Sequence, residues 1–196
     1  MRRKGKVTLE EKKCEFPAQE NGWQSYTYTM TGIQANLWGI LAALPFLLLT
    51  GGLYRAFLIK RAVLLGNIPI VLAVILLVSL PLHEGLHGLG WKLAGKTGKG
   101  EILFFISQGM PMCTCRKALP VGQYLMGILL PFLMLGMGSI LLLIIYPGTF
   151  FVLTAFVNLT ISGADLVIAG MLLQSGSTLA VDCPDQAGFI GWRRRD

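Results

Sequence analysis

Charge is scarce in this chain, and histidine is scarcer. Only 14% of the 196 residues are charged, whereas a soluble domain carries roughly a quarter. There are two histidines, His83 and His87. The four cysteines, Cys14, Cys113, Cys115 and Cys183, do not form the disulfide framework of a small secreted fold. Internal repeats, low-complexity tracts and PDZ-like or other soluble modules are missing. So is a cleavable signal peptide: the first apolar run starts near Ile33, after a long polar lead, and no small-residue cleavage site follows it. The first run is therefore expected to remain as a membrane span. The net charge of +7 does not make a nucleic-acid binder, because the basic residues flank apolar runs and form no face with interleaved aromatics. They fit anionic lipid at a membrane surface instead.

Apolar residues are abundant and clustered. They make up 54% of the chain, mean hydropathy is +0.62, and they fall in runs long enough to cross a bilayer. The sequence predicts an all-α integral membrane protein with four transmembrane helices, near 33–53, 67–91, 121–146 and 149–174. A polar N-terminal segment, 1–31, and a polar tail, 176–196, flank a membrane domain at 32–175. Trp23 to Thr31 alternates large and polar residues, which reads as a short strand or as an aromatic belt at the membrane surface; the belt is preferred because a span follows directly. Pro81 lies inside the second span and is expected to kink it, since proline removes a backbone hydrogen bond. Between the second and third spans, 100–117 holds β-branched and aromatic residues around Gly109, too few to span. That pattern predicts a hairpin at or dipping into the membrane.

Four spans put both termini and the middle loop on one side. Fourteen of the 17 Lys and Arg fall there, so both termini are expected in the cytoplasm. On that topology all four cysteines face the reducing side.

The second span ends in His83-Glu84-Gly85-Leu86-His87, an H-E-x-x-H sequence. On a helix His83 and His87 share a face and can point two imidazole nitrogens at one metal ion. Glu84 is placed to reach a water on that metal and take its proton. A catalytic zinc site needs a third protein ligand. With no other histidine, that ligand must be a carboxylate or a thiolate, and Asp165 is the remaining acid within an apolar segment. His83 and Asp165 each lie nine residues before the cytoplasmic end of an inward-running span, about 14 Å deep at helical rise. Ser162-Gly163-Ala164 would let the last span approach the second closely.

Other uses of these residues stay open at this level. Buried polar groups in membrane helices also serve as plain interhelical hydrogen bonds, or as a proton or cation path. Asn158, two turns before Asp165, is a candidate to orient a ligand or hold substrate backbone, and equally a candidate for interhelical bonding. Cys113 and Cys115 read as free thiols, or as an inhibitory thiolate capping the metal.

On His83, Glu84, His87 and Asp165 the chain resembles site-2 proteases, the zinc intramembrane metalloproteases. More closely, it is similar to small bacterial zincin membrane peptidases of four spans, with H-E-x-x-H late in the second and an S-G-x-D-like segment in the last. The resemblance implies Zn²⁺ held by His83, His87 and Asp165, Glu84 as catalytic acid/base, and a multi-pass protein of the bacterial plasma membrane acting on membrane-protein or peptide substrates. It also implies that the 100–117 hairpin pairs with an unwound substrate strand. Site-2 proteases usually carry their aspartate in an N-P-D-G or L-D-G setting; here the sequence is Ser162-Gly163-Ala164-Asp165-Leu166. The second intramembrane aspartate of presenilin-type enzymes and the serine elbow of rhomboids are both missing. A proton or cation transporter and a non-catalytic zinc-stabilised binding protein are the alternatives.

Overall fold

The structure, a computed structural model, describes residues 22–58, 67–98, 100–107, 110–183 and 186–194. Cys14 and the basic residues of 1–21 and 59–66 lie outside the described residues. Four helices among the described residues are long and apolar enough to cross a membrane: Gly32–Ala56, Ile68–Gly95, Val121–Ile145 and Thr149–Gln174. They match the predicted spans to within about a turn, the second running on to Gly95.

The first contains α1 (Gly32–Leu53), opened by a capping box. Thr31 Oγ1 accepts from the Gln34 N–H, and Gln34 Oε1 accepts from the Thr31 N–H. The second is α2 (Ile68–Gly95), capped by Asn67 and ended by Lys96 in the left-handed region at φ 46°. Pro81 lies within this unbroken helix. The third consists of α3 (Val121–Pro131), a π-helical stretch (Phe132–Met137) and α4 (Gly138–Ile145). The widened turn follows Pro131, which has no N–H to keep the regular ladder. The fourth divides at Ser162 into α5 (Thr149–Ile161) and α6 (Gly163–Gln174), which puts Asp165 in the first turn of α6.

The all-α expectation fails at the chain ends. Trp23–Met30 is strand β1, not an aromatic belt, and the tail carries strands too. The predicted hairpin is formed by β2 (Ile102–Ser107) and β3 (Met110–Cys115). With β4 (Leu119–Pro120), β5 (Leu179–Asp182) and β6 (Ala187–Arg194), β1 builds an antiparallel four-stranded sheet in the order β1-β6-β5-β4. Trp23 lies opposite Arg194, and Met30 opposite Ala187. The alternation in β1 is a strand period whose partner is almost the whole described chain away. The sheet joins the N-terminal segment, the middle loop and the tail at one end of the bundle, as a four-span arrangement requires. Its aromatic face is buried: Tyr28 stacks on Phe189 at 5.1 Å, and Phe189 approaches Tyr124 at 6.3 Å.

Two crossings set the depth of the bundle's interior. At one, α1 meets α6 through Gly39 and Gly163; a Cβ on Gly163 would collide with the Gly39 carbonyl. At the other, α2 meets α3 through Gly90 and Gly127; a Cβ on Gly90 would come within 2.7 Å of Gly127 Cα. Backbones approach this closely only where side chains are missing. Large apolar side chains such as Leu37, Leu77, Leu93 and Leu173 face outward.

Candidate metal centre

His83 and His87 stand one turn apart on the inner face of α2, both buried. The Gly39–Gly163 crossing draws the first turn of α6 inward and delivers Asp165 between them. His83 Nε2 lies 3.2 Å from Asp165 Oδ2, and His87 Nε2 lies 3.5 Å from Asp165 Oδ1. The two Nε2 atoms are 3.1 Å apart. The matched depth expected for His83 and Asp165 is thus met as direct contact. This is the one group of three or more mutually close His, Cys, Asp or Glu donors among the described residues.

The donor chemistry fits a cation. His87 Nδ1 lies 2.9 Å from the Gly127 carbonyl, which can only accept, so Nδ1 carries the proton and Nε2 presents its lone pair inward. That lone pair faces a second imidazole nitrogen and a carboxylate. Asp165 Oδ2 is buried and has no hydrogen-bond partner. A positive charge relieves such a convergence of acceptors. Zinc–nitrogen bonds of about 2.0–2.1 Å at tetrahedral angles put neighbouring ligand atoms roughly 3.3 Å apart, which the observed separations bracket. Three protein ligands would leave one position open.

What holds the ligands in place has no motif of its own. Trp91, one turn after His87, stacks on its ring at 5.5 Å, and Trp91 Nε1–H donates to the Tyr124 carbonyl at 3.2 Å. The Gly127 carbonyl that orients His87 belongs to α3, and it can reach the ring because Gly90 and Gly127 bring α2 and α3 together. His83 meets the His87 ring edge-on at 4.7 Å.

Glu84 faces away from this trio toward the hairpin. Its Oε2 accepts the backbone N–H of Cys113 at 2.6 Å. Residues 111, 113 and 115 therefore turn their backbone groups outward from the β2–β3 ladder, onto α2. The hairpin rests on Gly88, where a Cβ would come within 2.6 Å of Phe104 and 3.3 Å of Cys113 Sγ. Cys113 thus engages the site through its backbone. Burial pushes its thiol up to about 12 and that of Cys115 up to about 11, so both are neutral thiols at neutral pH. Neither belongs to the group of mutually close donors. None of the described cysteines, Cys113, Cys115 and Cys183, is in a disulfide bond.

Asn158 makes the interhelical bond. Its Nδ2 donates to Ser139 Oγ at 2.9 Å, linking α5 to α4.

A family model described as "Putative zincin peptidase" matches residues 75–179, more than half of the chain, and spans α2 from Ile75 onward, the hairpin, α3 to α6 and the first residue of β5. No curated protein and no solved structure matches.

Proposed function

Because the chain belongs to this zincin peptidase family, we propose that it is a zinc-dependent endopeptidase cutting peptide bonds at or within the bilayer, in the manner of site-2 proteases. The observation that carries the reading is the convergence of His83, His87 and Asp165 from two apolar helices, with Glu84 next to His83 in sequence on α2. In this reading His83, His87 and Asp165 would hold the zinc, which would supply Lewis-acid polarisation of the scissile carbonyl and activation of the attacking water. Glu84 accepts that water's proton and passes it to the leaving amine nitrogen. The Cys113 N–H anchors Glu84 Oε2 and leaves Oε1 for the proton. The Gly127 carbonyl keeps His87 in the tautomer that can ligate.

The substrate is an extended peptide or an unwound segment of a membrane protein. The outer edge of β3 faces Glu84, yet Pro111 has no N–H to give and the Cys113 N–H is already used. A peptide strand adds along that edge only when β3 draws away from Glu84. The protein is read as a multi-pass protein of the bacterial plasma membrane, and the distribution of Lys and Arg supports both termini in the cytoplasm.

The test is metal content of the detergent-purified protein. Wild type should hold about one zinc per chain, as a three-ligand site requires, and Asp165→Asn and His83→Ala/His87→Ala should hold none. Glu84→Gln should keep the zinc and lose peptide cleavage by roughly 10²–10⁴-fold. Wild type that binds no zinc after reconstitution overturns the reading and leaves ion transport as the alternative.

A further inference from the structure

Asp182 lies at the end of β5, beyond the residues that the family model matches. It has no place in the chemistry above, yet it touches both supports of the candidate centre. Its Oδ1 accepts the Tyr124 hydroxyl at 2.9 Å. Tyr124 is fully buried on α3, one turn before Gly127, whose carbonyl orients His87. The Tyr124 carbonyl also receives Trp91 Nε1–H, and Trp91 stacks on His87. On its other side β5 packs against β3, whose Thr114 lowers the Asp182 pKa while the buried Thr114 hydroxyl itself makes no hydrogen bond. Thr114 adjoins Cys113, whose N–H holds Glu84.

A carboxylate suits this place chemically. Tyr124 and Thr114 each bring a hydroxyl donor, and an ionised carboxylate is acceptor-only with two oxygens to offer. It lies between the strand carrying the partner of Glu84 and the helix carrying the partner of His87.

We propose that Asp182 is a positioning residue, clamping β3 to α3 from the sheet so that Glu84 and His87 are held in register with each other. The inference rests on the roles given to Glu84 and His87 above, but its first readout is independent of them. Cys113 sits at the clamped edge with a thiol only 7% exposed, and it reports whether β3 stays down.

The experiment measures maleimide labelling of Cys113 in the detergent-purified full chain, in a Cys14→Ser/Cys183→Ser background, mapped by mass spectrometry. Zinc release to a chelator is measured beside it. Asp182→Ala should speed Cys113 labelling about tenfold, as expected for local opening after loss of a charge-assisted hydrogen bond. It should also speed zinc release, while helical content stays at the wild-type level. Tyr124→Phe deletes one hydroxyl and should act in the same direction but less. Asp182→Asn keeps an acceptor oxygen and should recover most of the protection. A merely structural staple would lower the unfolding temperature and leave Cys113 protected in the folded protein. Wild-type labelling in both Asp182→Ala and Tyr124→Phe overturns the proposal. If wild type binds no zinc, the peptidase reading fails, and Cys113 labelling still decides the clamp.

Discussion

Two buried polar clusters lie inside the helical bundle, and they are built on opposite principles. In the cluster at Asn158, donors meet acceptors in series: Asn158 Nδ2 donates to Ser139 Oγ, and Ser139 Oγ donates to the Leu135 carbonyl. It joins helices through neutral groups, with Asn158 Oδ1 left buried without a partner. In the cluster at Asp165 two imidazole nitrogens and a carboxylate face one another across 3.1–3.5 Å. The His87 proton is turned away to the Gly127 carbonyl. Buried polarity alone therefore does not mark a functional site in such a bundle. The direction of the protons does.

The comparison breaks most sharply in metal binding. Asp165→Asn should abolish stoichiometric zinc, while Asn158→Ala should leave it at the wild-type level; equal losses in inductively coupled plasma measurements would erase the distinction. Next in size is the crossing that delivers Asp165. Gly163→Ala places a methyl group against the Gly39 carbonyl and should cost on the order of 1–3 kcal/mol of overpacking, along with weaker zinc binding. Gly170→Ala, on the same helix with open space at its Cα, should change neither, and a competition titration with a chelator compares the two.

A smaller effect tests the support rather than the ligands. Burial pushes Asp182 from the ordinary 3.8 up to about 6, with Tyr124, Thr114, Cys183 and the charge of Asp165 as its other influences. Cys113 and Cys115 of β3 and Glu84 of α2 also feel its charge. A raised carboxyl pKa means that the folded protein binds the proton more tightly than the unfolded chain. The associated stability is full below about pH 3.8 and is lost as pH rises through about 6. Thermal unfolding in detergent should fall across that window more steeply in wild type than in Asp182→Asn. Smallest of all, Asn158→Ala should cost about 1 kcal/mol, the net value of one interhelical hydrogen bond, read as a shift of a few degrees in melting temperature.

Much of the centre was legible because a membrane makes polar residues expensive. Two histidines and two acids within apolar runs had to be accounted for, and nine-residue offsets from the span ends put His83 and Asp165 at one depth. The spans were equally plain, each being an apolar run of the required length, and the hairpin showed in Ile102–Ile106 followed by Gly109. The sheet was hidden because the partner of β1 is β6, and nothing local in Trp23–Met30 names a strand more than 150 residues away. The glycine crossings were half legible: Gly163 stood out beside Asp165, but its partner Gly39 had no mark of its own. Asp182 was illegible for a different reason. In a polar tail an aspartate reads as solvated, and only the folded sheet reveals that it turns inward to Tyr124 and Thr114.

The pairing of β1 with β6 also orders the protein's birth. β1 emerges from the ribosome before the four spans described here, while its partner emerges after all four. Until then β1 is an unpaired edge, open to pairing with other chains. β5 and the Asp182 clamp arrive equally late. His83, Glu84 and His87 are therefore made long before the elements that brace them. A nascent chain that has inserted its helices still lacks that bracing, and its assembly into a working centre waits on a closure of high contact order, the slowest kind of step in folding.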